Sequence, residues 1–310
     1  MFAAAGAEPE EFMGQHFEPI RLERQHEYLE RLSFVSQMAS DYSFINLWGW
    51  AEVHGLLWAW EKDGIWIKQT LPREVNWAPV GNWEEMDWDR WFSGNTENRN
   101  TFTRIPEKLA DLWKNHFGSG IILSEARGHW DYLYDVNELI ELPGNRFHKK
   151  KNLLNQFKKT CNYTVEPLGT ATVKQALAMQ EDWCTWRDCE SSEGLSAENG
   201  AISRVLRQWE NLSGLMGGAI RINEKMVAYT VGEKLSDDTL VIHFEKGSPE
   251  YKGIYQAINN LFLEQLKREP SHHGLCWVNR EQDLDDEGLR KAKLSYNPSG
   301  YIRKFTIRIS

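Results

Sequence analysis

Hydrophobic and polar positions alternate most regularly in the second half of the chain, residues 144–310. Apolar residues recur at helical spacing after Thr172, and again after Ser196. Strand-like runs then follow at 216–222, 226–235 and 239–245, with short polar turns between them. The pattern predicts two helices and then a three-stranded antiparallel meander.

The remainder of this half predicts a helix from Gly253 to about 268, a short strand at 275–279, a helix over 286–295 and a final strand at 301–309. This order resembles the GNAT (N-acetyltransferase-like) fold. The first half has similar parts, with a hairpin at 56–71, a helix at 106–117 and two strands within 121–136. We therefore predict an α/β (α+β) protein with a tandem GNAT-like fold, in which helices flank two mixed, mostly antiparallel sheets.

A cluster of helix-breaking residues at 142–145 separates the two patterned halves. The predicted division is a disordered leader at 1–15, an N-terminal GNAT-like domain at 16–143 and a C-terminal GNAT-like domain at 144–310. The leader lacks the basic and apolar regions of a secretory signal. No run of about 18 apolar residues occurs, so no membrane-spanning helix is expected.

The net charge and the cysteine spacing argue against two classes of protein, non-specific nucleic-acid binders and zinc proteins. The net charge of −9 argues against a non-specific nucleic-acid binder, yet residues 145–165 contain no acid and six Lys or Arg. This basic segment is a candidate anion site. The four cysteines form neither a CxxC pair nor a zinc spacing, so free thiols in a reducing cytoplasm and no metal site are expected.

Four sequence blocks resemble the bacterial DUF2156 proteins, which are grouped with the C-terminal domain of phosphatidylglycerol lysyltransferases. They are 41–48 (DYSFINLW), 131–134 with 149–157 (DYLY and KKKNLLNQF), 243–246 with 255–259 (HFEK and YQAIN), and 278–284 with 289–298 (VNREQDL and LRKAKLSYNP). The resemblance implies a tandem GNAT-like fold. It also implies kinship with enzymes that move an aminoacyl group from tRNA to a lipid or peptide amine or hydroxyl.

The end of the strand at 239–245 and the following turn supply the first candidates. In GNAT enzymes this strand end lines the reaction cleft, so Glu245 is a candidate general base or, equally, a carboxylate that binds the amine of an aminoacyl group. Alternation places His243 with Glu245 on one face and Lys246 on the other. The alternative is a satisfied core histidine beside two exposed charges. Gly253 matches the turn that binds the pyrophosphate of coenzyme A, but Tyr255 narrows that space and disfavours an acyl-CoA donor.

The stretch after 275–279 supplies polar candidates in close succession. Asn279 bounds the predicted cleft, and Arg280 offers a planar fork for a phosphate or carboxylate, which Asp283 is expected to hold. Internal ion pairs are the alternative for these charges. On the next helix, Arg290 and Lys293 share one face, whereas Leu289, Ala292 and Tyr296 share another. By its position in the GNAT pattern, Tyr296 is the candidate acid that protonates the leaving group, although a core role is the alternative.

The basic segment predicts an amphipathic helix over 147–161, and Lys150 falls within its apolar stripe. Such a lysine either extends its ammonium to solvent or meets an anion in a cleft. Lys151 and Asn152 complete the candidate anion-binding group. The lysines outside the stripe are candidates for contact with tRNA or a lipid head group, and the alternative for them is a solvated face.

Taken together, the predicted function is intracellular transfer of an aminoacyl or other acyl group to an amine or hydroxyl. Glu245, Asn279 and Tyr296 bound the predicted cleft, and aminoacyl-tRNA or acyl-CoA is the predicted donor. Two alternatives stay open: a non-catalytic GNAT-fold module that binds an anion through Lys150 and Arg280, and a conventional acyl-CoA N-acetyltransferase.

Overall fold

The computed structural model describes residues 16–93 and 101–309, and the predicted leader at 1–15 lies outside them. The helices of this part are α1 Gln25–Leu32, α2 Phe44–His54, α3 Trp88–Ser93, α4 Glu107–Phe117, α5 Val136–Glu141, α6 His148–Thr160, α7 Val173–Arg187, α8 Glu193–Arg207, α9 Ile254–Arg268 and α10 Glu287–Leu294. The strands are β1 Glu18–Pro19, β2 Leu56–Trp60, β3 Gly64–Gln69, β4 Val75–Trp77, β5 Val80–Gly81, β6 Thr101–Pro106, β7 Ile121–Glu125, β8 Asp131–Asp135, β9 Tyr163–Pro167, β10 Leu215–Ile222, β11 Lys225–Lys234, β12 Thr239–Gly247, β13 Trp277–Asn279, β14 Gly300–Ile302 and β15 Lys304–Ile309.

Within the described residues the strands form two mixed sheets. The first has the order β1-β2-β3-β4-β6-β15-β7, with β5 paired to β3, and the second has the order β14-β8-β13-β12-β11-β10-β9. The two sheets exchange strands across the predicted boundary at 143/144. Strand β8 of the first half pairs with β13 and β14, whereas β15 at the end of the chain pairs with β6 and β7. Neither sheet is therefore built from one half alone.

The element order predicted for the second half is confirmed from α7 to β13, as are the first-half hairpin, the helix at 106–117 and the basic helix α6. The single final strand predicted at 301–309 is wrong. The chain leaves the second sheet after Ile302 and enters the first at Lys304. Arg303 lies at this crossing, where it is anchored by Glu107 (2.6 Å) and Glu125.

The main hydrophobic core joins the two halves. Apolar side chains of α7 and α8 pack on one face of the second sheet and are continuous with the core of the first sheet. Helix α2 lies against α8, and a Cβ on Gly49 would come within 3.0 Å of Val205. On the opposite face, α9 covers the second sheet and α6 packs beside α9 through Leu154 and Phe157.

The expectation of four free thiols is wrong, because Cys184 and Cys189 form a disulfide. Helix α7 ends at Arg187, and Asp188 takes a left-handed conformation with φ 50°. The chain reverses there and brings Cys189 back to the last turn of α7, with a Cα–Cα distance of 5.0 Å. Cys161 and Cys276 are free thiols.

Candidate functional site

The candidate site lies where two neighbouring strands of the second sheet diverge. Strands β12 and β13 run parallel, but they pair only from Thr239 opposite Trp277 to Val241 opposite Asn279. Strand β12 then continues to Gly247 along β11, while the chain beyond Asn279 turns away. The two strands therefore separate between the end of β12 and residues 280–282, and we call this separation the opening between β12 and β13.

Arg280 and Glu245 face each other across this opening. The Arg280 guanidinium donates to Glu245 Oε1 at 2.9 Å, and the amide of Asn259 on α9 donates to Oε2 at 3.4 Å. Both charged side chains are largely buried, with 17% and 9% of their surface exposed. Burial opposes the charge of Arg280, but Glu245, Tyr296 and Tyr134 together raise the pKa of the guanidinium. The pair therefore places the Glu245 carboxylate, bound by a guanidinium and an amide, at the end of β12.

Tyr296 lies beside this ion pair, directly after α10. Two cations approach its ring: the Lys150 ammonium lies 4.2 Å and the Arg280 guanidinium carbon 5.3 Å from the ring centroid. Burial raises the pKa of the Tyr296 hydroxyl, and the charge of Arg280 offsets this only in part. The expected shared face of Leu289 and Tyr296 is wrong, because α10 ends at Leu294 and Leu289 stays exposed.

Positive charge exceeds negative charge around Tyr296. Among the described residues, no carboxylate forms an ion pair with Lys150, and burial together with Arg280 lowers the pKa of its ammonium. Lys293 donates to the main-chain carbonyl of Arg280, and burial lowers its pKa to about 8. Two cations, Arg280 and Lys150, thus lie against the Tyr296 ring, and only Arg280 has a carboxylate partner there, so this excess of positive charge is suited to holding an anion.

His243 and Glu245 do not share a face, contrary to the alternation. A β-bulge pairs Val231 with Phe244 and Gly232 with Ile242, so that His243 is the extra residue of β12. The imidazole is fully buried between Glu281 (2.8 Å) and Glu233 (3.0 Å) on the side away from α9. His243 is thus a histidine satisfied by two carboxylates.

The pairing of His243 predicts a pH dependence of stability. Burial opposes its charge, but the hydrogen bonds that the imidazolium donates to Glu233 and Glu281 raise its pKa from 6.5 to about 9. A raised folded-state pKa contributes stability below pH 6.5 that is lost as pH rises through about 9. We expect the free energy of unfolding to fall by about 3 kcal/mol between these values, at about 1.4 kcal/mol per pKa unit. Urea titrations of wild type and His243→Gln test this, because the variant should lose most of the slope.

Lys246, Gly253 and Tyr255 belong to the segment that leads from the end of β12 into α9. Lys246 pairs with Glu198 of α8 at 2.7 Å, and Tyr255 accepts the indole N–H of Trp183 at 2.9 Å. Gly253 has φ 88°, and a Cβ there would lie 2.2 Å from the carbonyl oxygen of Leu153 on α6. The backbone of α6 therefore packs directly against the start of α9.

Asn279, Asp283 and Arg290 belong to networks beside the opening. The amide of Asn279 donates to Asp131 at 3.0 Å, and its carbonyl accepts the main-chain N–H of Glu281 at 2.8 Å. The expected pairing of Asp283 with Arg280 is wrong. Arg290 instead binds Asp283 through two hydrogen bonds of 2.8 and 2.9 Å, because α10 brings its guanidinium over the buried carboxylate. Burial opposes the charge of Asp283, but Arg290 and Tyr132 lower its pKa to about 2.

A buried ionic cluster between the sheets was not predicted from the sequence. Lys304 is fully buried and contacts both Asp41 and Asp131, the latter at 2.6 Å, and Arg104 also pairs with Asp41. Burial opposes the charge of Asp41, but Lys304 and Arg104 lower its pKa to about 2. The available signal was that Asp41 and Asp131 each begin a block of the family resemblance.

The remaining predicted residues lie on the outer side of α6. Lys151 donates to the main-chain carbonyl of Glu141 at 3.1 Å, and Asn152 contacts His148 on the preceding turn. Both side chains are exposed, so neither joins the cluster around Tyr296. A cleft of about 720 Å³ lies elsewhere, beside Arg221.

Residues 33–308 match the family described as phosphatidylglycerol lysyltransferase, C-terminal. The chain belongs to this family. The match covers the second sheet, the first sheet apart from β1 and Ile309, and every element that contributes to the opening between β12 and β13. Family membership and the two mixed sheets flanked by helices establish a tandem GNAT-like fold for the described chain.

Solved structures of similar proteins agree with the family assignment. A conserved protein of unknown function from Bacteroides thetaiotaomicron VPI-5482 is 26% identical, with a TM-score of 0.83 over 96% of this chain and 100% of that chain. The C-terminal domain of a putative lysylphosphatidylglycerol synthetase from Agrobacterium fabrum is 13% identical, with a TM-score of 0.63 over 92% of each chain. L-PGS from Bacillus licheniformis is 12% identical, with a TM-score of 0.63 over 94% and 92% of the two chains. At 13% and 12% identity, the similarity to the latter two structures shows the fold alone.

A curated relative is an uncharacterized protein of Mycoplasmoides gallisepticum, 23% identical over 180 residues. The match covers 58% of this chain and 56% of that protein, so the chain spans about half the length of this relative. In the part of the chain that the structure describes, no helix combines the length and the apolar character needed to cross a membrane.

Proposed function

We propose that this member of the lysyltransferase C-terminal family transfers an aminoacyl group, or another acyl group, to an amine or hydroxyl acceptor. The observation that carries the proposal is the juxtaposition of Glu245, Arg280 and Tyr296 at the opening between β12 and β13. Acyl transfer needs a base for the acceptor and an acid for the leaving group, and these residues supply one of each.

In the proposed reaction, the acceptor nitrogen or oxygen attacks the donor carbonyl while Glu245 removes its proton. The new bond to the carbonyl carbon forms, and the bond to the leaving oxygen then breaks as Tyr296 donates its proton. The raised pKa of Tyr296 keeps the resting hydroxyl protonated, and Arg280 stabilises the tyrosinate that forms. Main-chain N–H groups of β12 beyond Val241, released from pairing with β13, are the proposed oxyanion donors. Asn279 positions the end of β13 through Asp131.

The proposed donor is an aminoacyl-tRNA, and this choice also proposes a cytoplasmic location. In GNAT enzymes the pyrophosphate of coenzyme A binds at the start of the helix that corresponds to α9, where the backbone of α6 packs here. The same helix α6 exposes Lys149, Lys151 and Lys159 to solvent. An exposed basic face beside the site favours a polyanionic donor, and Lys150 is proposed to bind a phosphate of its acceptor end.

A second candidate function is a non-catalytic module that binds an anion. The observation favouring it is the Arg280–Glu245 pair, which spans the opening with two largely buried side chains. This candidate predicts that phosphate compounds bind near Lys150 without any chemical change.

Mass spectrometry of the acceptor distinguishes these functions. The protein is incubated with charged tRNA or with acetyl-CoA, and with phosphatidylglycerol vesicles or short peptides as acceptors. We expect the acceptor to gain an aminoacyl mass from charged tRNA, at a rate that falls as salt is raised. An acetyl mass gain would instead identify a conventional acetyltransferase, and tRNA binding without any product would favour the binding module.

A further inference from the structure

Residues 280 and 281 bridge the two diverging strands on opposite faces of the sheet. Arg280 reaches Glu245 on the face covered by α9, at 2.9 Å, and Glu281 reaches His243 on the other face, at 2.8 Å. The neighbouring residues Arg280 and Glu281 thus bind Glu245 and His243, which are only two residues apart on β12. The direction of Arg280 consequently depends on the conformation of Glu281.

Glu281 has a backbone conformation that non-glycine residues rarely adopt, with φ 56°. Its main chain is fixed on both sides: the N–H donates to Asn279 Oδ1 at 2.8 Å, and the carbonyl accepts the N–H of Tyr132 at 3.2 Å. Such a conformation persists only where the surroundings determine it strongly.

The N-terminal half contributes directly to this arrangement. The amide of Asn46 on α2 donates to Glu281 Oε1 at 2.7 Å and to the carbonyl of Ser40 at 2.8 Å. The side-chain and main-chain donors of Ser40 bind Asp131, each at 2.8 Å. A continuous chain of buried and partly buried hydrogen bonds therefore runs from the ionic cluster between the sheets to Glu281.

We propose that Glu281 is a positioning residue which, held by Asn46 of the N-terminal half, keeps Arg280 directed at Glu245 in the opening between β12 and β13. The proposal rests on the proposed function for its effect on turnover, but its structural part stands independently. It assigns the first half of the chain a direct role at a site built from residues of the second half.

The variant Glu281→Gly distinguishes a positioning role of the Glu281 side chain from a role of its backbone conformation alone. Glycine adopts a left-handed conformation readily, so a role limited to the backbone predicts unchanged or higher stability and full turnover. The positioning role predicts that kcat falls about 10- to 100-fold with KM within about twofold, because misplacement by about 1 Å has effects of this size. Glu281→Gln, which keeps an acceptor for Asn46, should lie between wild type and Glu281→Gly.

Asn46→Leu tests the contribution of the N-terminal half, with Asn260→Leu as its matched control. Both asparagines are buried and donate two hydrogen bonds, but Asn260 donates to main-chain carbonyls of Leu139 and Ile140. We expect Asn46→Leu to lower kcat about tenfold or more and Asn260→Leu to affect stability alone. Equal turnover in both variants would overturn the role of Asn46.

The Nε–H resonance of Arg280 in a nuclear magnetic resonance spectrum provides a readout that does not require turnover. It should be sharp in the wild type, and broadened or shifted in Glu281→Gly and Asn46→Leu. Unchanged Arg280 resonances in both variants would overturn the positioning role, even if the wild type proved to have no transferase activity. Conversely, altered resonances in a protein without turnover would support the positioning role and count against the proposed function alone.

Discussion

Replacing Glu245 by glutamine should lower the rate of acyl transfer by about 10²- to 10⁴-fold, the usual contribution of a general base. Glutamine has nearly the same size and retains an oxygen that accepts the Arg280 hydrogen bond, so the fold should persist. Only the ability to take the acceptor's proton is removed. Because the acceptor's attack depends on that proton transfer, the loss should be seen in kcat.

Steady-state kinetics of Glu245→Gln should be compared with Glu166→Gln as a matched control. Glu166 also pairs with a guanidinium, that of Arg221, but lies on β9 at the far edge of the second sheet. We expect the control to keep the wild-type rate. A Glu245→Gln rate within threefold of wild type would remove Glu245 from the mechanism.

Replacing Lys304 by methionine should destabilise the protein by about 3–5 kcal/mol, the usual effect of removing one partner from a buried ion pair. Lys304 is fully buried, and its ammonium compensates the carboxylates of Asp41 and Asp131 together. Methionine fills a similar volume but leaves Asp131 buried with only neutral hydrogen-bond partners. This is a large fraction of the roughly 5–15 kcal/mol that stabilises a typical protein.

Urea unfolding followed by tryptophan fluorescence measures this effect. The control is Lys225→Met, because Lys225 pairs with Asp182 at 3.1 Å on the surface, where such pairs contribute about 0–1 kcal/mol. Adding Asp131→Asn to Lys304→Met should recover part of the loss by removing the uncompensated charge. Equal stability of Lys304→Met and Lys225→Met would contradict the described role of the cluster.

The periodicity of apolar residues predicted those helices and strands that each bury one apolar face. The meander β10–β12, helix α9 and the basic helix α6 were all found this way, because burial alone determines their faces. The exchange of β8 and β15 could not be found, because a strand shows the same alternation whichever sheet accepts it. Arg303 and Lys304, the residues at the crossing, have partners that are more than 170 residues away in the chain.

The sequence identified which residues form the candidate site, but it did not predict which of them contact one another. Glu245, Arg280 and Tyr296 meet as a cluster, but the partner of Arg280 lies 35 residues earlier in the chain, beyond the reach of a local pattern. The bulge at His243 reversed the expected face of that residue, since a single inserted residue shifts strand alternation. The left-handed conformation at residue 281 could not be predicted, because the residue there is Glu281 and not the glycine that usually marks such a conformation.

The central claim is that Glu245 and Tyr296 act together in one acyl-transfer step. The measurement that tests it most directly is the single-turnover transfer of a radiolabelled aminoacyl group from charged tRNA by wild type, Glu245→Gln, Tyr296→Phe and the double variant. Residues that act as a unit have non-additive effects, so the double variant should be about as slow as the slower single variant. A double variant slowed by the product of the two single effects, or one that transfers the label at the wild-type rate, would contradict the claim.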